Sequence, residues 1–216
     1  MSEHAFTDAE RAAVYRAIGE RRDMRHFAGG EVAPALLQRL LHAAHQAPSV
    51  GLMQPWRFIR ITRRALRSDI HRLVEAERLR TAEALGERGD TFMRLKVEGI
   101  HDCAEVLVAA LMDQREGHIF GRRTLPEMDL ASLACAIQNL WLAARAEGLG
   151  LGWVSLFDPQ ALGDLLGLPV GAKAVAVLCL GPVTEFYPAP MLVQERWAEA
   201  RPLEDMLYEN HWGERP

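Results

Sequence analysis

The sequence predicts an α+β fold with one mixed sheet flanked by helices. Strand-like runs are few, and helical periodicity separates each from the next. No linker, internal repeat or low-complexity tract interrupts the 216 residues, a length that suits one large domain spanning 1–216. Hydrophobic residues make up 49% of the chain, enough to fill a real core.

Thr7-Asp8-Ala9-Glu10 has the form of a capping box, in which the Thr7 hydroxyl accepts an orphan amide while Glu10 reaches back, so a helix follows to about Gly19. Pro34 suits a first helical turn, Leu36, Leu37, Leu40, Leu41 and Ala44 form an apolar stripe behind it, and Pro48 stops the helix. Arg57–Thr62 is a short strand. Ser68–Gly86 is charged and helical, with Ile70, Leu73, Val74, Glu77 and Arg80 at helical spacing; Gly86, Gly89 and Gly99 then break the pattern, so residues 64–100 are expected to be a mobile helical excursion. Val106–Met112 suits a buried strand, although its alanines also allow helix. Residues 130–147 form the clearest core helix, with Leu133, Ala134, Ile137, Leu140, Trp141 and Ala144 on one face and Gly148 as its C-cap. Trp153–Phe157 is a strand, Asp158-Pro159 opens a short helix, and Ala172–Leu180 alternates small and large apolar residues before Gly181-Pro182, as a central strand does. The polar tail, about 188–216, keeps apolar anchors at Met191, Leu192, Trp197, Leu203, Met206, Leu207 and Trp212.

Several function classes are disfavoured. A net charge of −4 offers no basic stripe for nucleic acid. No apolar run approaches the ~20 residues of a membrane span, and the polar start is unlike a signal peptide. Cys103, Cys135 and Cys179 lie in apolar stretches and are odd in number, so reduced buried thiols and a cytoplasmic location are expected. His42 and His45 share a helix face without an acidic or thiol partner nearby, His101-Asp102-Cys103 is too short to chelate alone, and no metal site is expected. Gly148-Leu149-Gly150-Leu151-Gly152 follows a helix and precedes a strand, the reverse of a dinucleotide fingerprint, and reads as a tight turn. No GxSxG elbow is present, so Ser49 and Ser155 lack a nucleophile's setting.

Two segments remain. Arg21-Arg22-Asp23-Met24-Arg25 concentrates guanidinium groups that pair with phosphate and donate to planar carbonyls; they could equally be a solvated helix end, with Arg21 and Arg22 favouring the C-terminal dipole. Ala47-Pro48-Ser49-Val50-Gly51-Leu52-Met53-Gln54-Pro55-Trp56 ends one helix and leads into a strand. Further on stand the GLG segment that enters a strand and, in the tail, Arg201-Pro202-Leu203.

Together and in this order, these segments resemble the nitroreductase-like flavoprotein family over nearly the whole chain. Asp23 stands where common members carry Ser, and Gly51 or Leu52 where they carry Asn. RRDxR, APSVGxMQPW and GWVSxxDP instead resemble the family's 5,6-dimethylbenzimidazole synthase branch. That resemblance implies a homodimer with FMN at the interface, and reduced FMN as substrate with O2 as co-substrate. It also implies dimethylbenzimidazole, the lower ligand of cobalamin, and erythrose 4-phosphate as products. A separate flavin reductase would supply the reduced FMN, and residues 64–100 would close as a lid.

The resemblance also assigns roles. Arg21, Arg22 and Arg25 hold the phosphate and pyrimidine edge, with a further phosphate contact from Arg201. Met24 lies in the flavin-binding segment, and Ser49 adds a contact from the partner subunit. Ser155 stands near flavin N5, and Asp23, kept ionised by its arginine neighbours, serves as the base. The other member activity to be weighed is FMN-dependent NAD(P)H reduction of nitro compounds or quinones.

Overall fold

In the computed structural model, which describes residues 4–216, four strands form one sheet in the order β1-β2-β4-β3. They are β1 (Trp56–Arg60), β2 (Glu105–Leu111), β3 (Gly150–Val154) and β4 (Lys173–Gly181). Every neighbouring pair is antiparallel, so the expected mixed sheet is corrected to an antiparallel one. The single parallel contact is an isolated bridge from Asp23 to Leu151 on the outer edge of β3. Strand runs separated by helices do not reveal strand sense; only the path of each return does.

Both sheet faces are covered. Leu107, Ala109 and Leu111 of β2 pack with α2 (Pro34–His45) and α5 (Met128–Ala146), whereas Val106 and Val108 pack with α3 (Arg64–Ala84) and α6 (Pro159–Leu166). A strand covered on both sides is apolar along nearly its whole length; all seven residues of β2 are buried, and its one charged residue, Glu105, is paired with Arg60. In β4 a register shift inserts Val175 between Ala174 and Ala176, so these two alanines belong to opposite cores.

Local chemistry sets most helix starts as expected. α1 (Asp8–Glu20) begins with both halves of the capping box formed. α2 has Pro34 in its first turn, and the Asp158 carboxylate caps α6 through the amides of Gln160 and Ala161, which lowers its pKa. α3 begins four residues before the expected Ser68, and Ile70 and Val74 lock its first half into the core, each 0% exposed. A six-residue helix, α4 (Gly89–Arg94), follows it, and α7 (Met191–Gln194) lies in the tail. Cys103 and Cys179 are buried, but Cys135 is exposed, because it falls on the α5 face away from Leu133, Ile137 and Leu140.

Candidate active site

The Arg-rich segment leaves α1 in extended form and lies along β3. The amide of Met24 donates to the Leu151 carbonyl at 3.0 Å, and the Trp153 amide donates to Asp23 Oδ1 at 2.8 Å. The glycines of β3 make this approach possible. A Cβ at Gly152 would collide with the Met24 carbonyl oxygen and come within 2.8 Å of Arg25 Nη1; one at Gly150 would stand 3.1 Å from Met24 Cγ and collide with Val183. The GLG segment is thus part of a strand that begins at Gly150, not a turn preceding one at Trp153, and its glycines admit a neighbouring backbone.

This packing sets a half-buried ion pair in the wall of a cavity of about 510 Å3. Arg25, 9% exposed, grips Asp23 with both terminal nitrogens, Nη1 to Oδ1 and Nη2 to Oδ2 at 2.7 Å each. Nη2 also donates to the Trp153 carbonyl at 2.9 Å. Oδ1 accepts from Arg25 and Trp153, while Oδ2 accepts only from Arg25 and keeps capacity for one more hydrogen bond. Desolvation raises the Asp23 pKa above the ordinary aspartate value, against the opposing pull of Arg25, the Trp153 amide and Arg21. The side chain stays 42% accessible through the cavity mouth, but protein crowds its other sides, and that crowding decides the direction. The arginine neighbours favour the ionised form, as the sequence suggests, but burial is the larger influence on the direction of the shift.

The three arginines divide their work. The Arg21 guanidinium lies 4.5 Å from the Trp141 ring centroid, lines the cavity and donates no hydrogen bond to a described side chain or carbonyl. Arg22 spends Nη1 on the Gly19 and Arg21 carbonyls at 2.7 and 2.8 Å and Nη2 on the Pro188 carbonyl at 3.2 Å; its buried Nε has no partner. Arg25 is committed to Asp23 and Trp153. Ser155, exposed just past β3, lines the same cavity as Arg21, Arg22, Asp23 and Arg25.

Three expected contacts lie elsewhere in the chain. The Met24 side chain is 0% exposed and packs inward against β3, so it cannot line the cavity. Ser49 Oγ accepts the Gln54 amide at 3.0 Å in a turn away from the cavity, and Arg201 is exposed in the tail; neither lines it. Residues the motifs did not flag complete the walls: Phe92, Leu95 and Val97 from the helical excursion, Leu156 beyond β3, and Met191, Leu192 and Trp197 from the tail. Their signal was present only as apolar residues in polar stretches. Among the described residues, no group of three or more His, Cys, Asp and Glu gathers as a metal site, and no helix is long and apolar enough to cross a membrane.

Comparison with known proteins places the chain in a family. The nitroreductase family model matches residues 18–182. A 5,6-dimethylbenzimidazole synthase from Rhodospirillum rubrum is 42% identical over 188 residues, covering 84% of this chain and 87% of that protein. One from Rhodobacter capsulatus is 39% identical over 202 residues, covering 92% and 97%. Among solved structures, a BluB-like flavoprotein from Clostridium difficile superposes with a TM-score of 0.70 at 18% identity, covering 90% of this chain and 97% of that one. An iodotyrosine deiodinase bound to FMN gives 0.67 at 22%, covering 81% and 92%. These two show the shared fold. With its antiparallel sheet, its Arg-rich segment sewn to β3 and a family match over most of its length, the chain belongs to the nitroreductase family.

Proposed function

We propose that this chain is a 5,6-dimethylbenzimidazole synthase that binds reduced FMN as its substrate and uses O2 to fragment it. The observation that carries the proposal is Asp23: a carboxylate at the base of the cavity, where common family members carry Ser, with its pKa raised by burial and one acceptor position open on Oδ2. The high identity to curated synthases along nearly their whole length supports the same activity.

The residues present fit a flavin mononucleotide. Its volume class agrees with the cavity. The uncommitted Arg21 guanidinium suits an anionic or carbonyl oxygen, and the apolar walls suit a planar ring. Reduced flavin, when bound, supplies both the electrons for O2 and the carbon skeleton of the product. The protein's contribution is positional. Arg25 and the Trp153 amide hold Asp23 in one rotamer, so its carboxylate can take a proton from the ribityl side of the ligand. A pKa moved upward by burial makes it a stronger base once ionised than an ordinary surface aspartate. Ser155 can donate its hydroxyl proton to, or accept from, the ring edge across the cavity.

The excursion 64–100 and the tail act together as a cover. Arg88 stacks on Trp197, 3.8 Å from the ring centroid, and donates to the Trp197 carbonyl at 3.1 Å; Phe92 packs against the same indole with ring centroids 6.0 Å apart. Closing these walls excludes water and bulkier electron acceptors. A second copy of the chain supplies Ser49, and a separate reductase supplies reduced FMN. The deciding experiment loads the protein anaerobically with reduced FMN and then admits O2. Dimethylbenzimidazole is the expected product; intact FMN as the sole flavin product would assign the chain to the FMN-dependent nitro- or quinone reductases instead.

A further inference from the structure

Tyr187 does not line the cavity, yet its hydroxyl holds the backbone directly behind Asp23 and Arg25. The oxygen accepts the amides of Arg25 and His26, each at 3.2 Å, and lies 2.6 Å from His26 Nδ1. A phenol offers two acceptor lone pairs and one proton. The two amides fill the lone pairs, so the proton goes to Nδ1, and His26 carries its own hydrogen on Nε2. Neither amide has another partner among the described residues.

The catalytic segment is therefore gripped from two sides. β3 holds one side through the Leu151 carbonyl and the Trp153 amide. Tyr187 holds the other, and it belongs to the stretch of chain that continues into the cavity wall at Pro190, Met191 and Leu192. Neighbouring contacts fix that stretch in place: Arg22 Nη2 reaches the Pro188 carbonyl, and the Arg145 guanidinium lies 4.2 Å from the Phe186 ring centroid. One hydroxyl thus ties the Asp23–Arg25 pair to the tail that walls the ligand.

We propose that Tyr187 is a positioning residue, whose hydroxyl fixes the Asp23–Arg25 pair against the cavity and sets the tail in register with it. This rests on the reading of Asp23 as the base. It acts through the backbone and makes no contact with the ligand. Loss of the hydroxyl frees two amides while leaving both sheet cores untouched, so its effect falls on geometry more than on folding.

The test is Tyr187→Phe, which keeps the ring and removes the hydroxyl, with two measurements. Hydrogen exchange resolved to single amides, on protein without flavin, should show Arg25 and His26 exchanging about tenfold faster while β2 is unchanged. With reduced FMN and O2, dimethylbenzimidazole formed per O2 consumed should fall by about tenfold, with FMN affinity within about threefold of wild type. Unchanged exchange at both amides would overturn the inference, as would loosened amides with an unchanged product yield. If the wild-type protein forms no dimethylbenzimidazole, the proposed function fails, and the exchange result by itself decides whether Tyr187 holds the segment.

Discussion

Arg21–Arg25 and Ala47–Trp56 look in sequence like two halves of one ligand site, but the fold treats them in opposite ways. The first is drawn into the molecule: Met24 is fully buried, Arg25 nearly so, and Asp23 lies at the base of a cavity. The second is anchored by Ala47, Met53 and Trp56 but turns its tip outward. Leu52 is 79% exposed, and the neighbouring Phe120, whose side chain borders Gly51, is 84% exposed. Three residues there, Gly51, Leu52 and Gln54, adopt left-handed backbone near φ +50°, uncommon for the two that carry a Cβ.

α5 measures the separation. Its Ser132 accepts the Val50 amide at one end, while its Trp141 donates to the Arg22 carbonyl further along. The two residues are nine positions apart on the helix, an axial distance of about 14 Å. The two segments thus meet α5 at different levels, and of the two only Arg21–Arg25 lines the cavity. We read the strained turn and its exposed apolar neighbours as a half-site that would serve a second copy of the chain.

The sharpest way to separate the two segments is to remove the carboxylate. Asp23→Asn should retain FMN binding and lose about 10²–10⁴-fold in dimethylbenzimidazole formation, measured by product chromatography after O2 is admitted; full activity would take Asp23 out of the mechanism. Arg21→Ala should weaken FMN binding by about 10–100-fold, since its donors have no partner among the described residues, whereas Arg22→Ala, whose terminal nitrogens already bond backbone carbonyls, should affect the tail more than the ligand. Fluorescence titration of both variants distinguishes these roles.

The outward segment has its own test. Phe120→Glu should weaken self-association by on the order of 30-fold, as expected for a central interface anchor. Sedimentation across a concentration series reads this directly, and a wild-type protein that stays monomeric would break the comparison. Gly152→Ala should destabilise the fold by about 1–3 kcal/mol, because the added methyl meets the Met24 backbone and not a yielding side-chain tip. The smallest effect is with pH. A native Asp23 pKa above its unfolded value means that the stability it contributes is fully present below the ordinary aspartate value of 3.8 and is lost as pH rises through the raised native value. Melts of the unliganded protein from about pH 4 to pH 7 should therefore show wild type losing ground to Asp23→Asn as pH increases.

Much of the fold was legible because its signals are local. The Thr7–Glu10 box, Pro34 and Asp158-Pro159 each satisfy or remove orphan helix amides within a few residues, so each start could be placed from the sequence. The core face of α5 followed from helical spacing alone. The site was legible only in part. RRDMR marked the correct segment, yet its pattern could not say that Arg22 is spent on the tail or that Met24 turns inward. Nothing near Tyr187 announces that its hydroxyl serves residues more than 160 positions away.

The sequence by itself determined most helix starts, the core face of α5 and the Arg-rich segment that lines the cavity, because capping, periodicity and side-chain chemistry act between near neighbours. Only the tertiary structure decided the antiparallel sense of the sheet, which arginine keeps its donors free, why β3 needs glycine, and the upward shift of Asp23. Each of these depends on distant backbones brought into contact and on water removed from between them. Neither event leaves a trace in residue order.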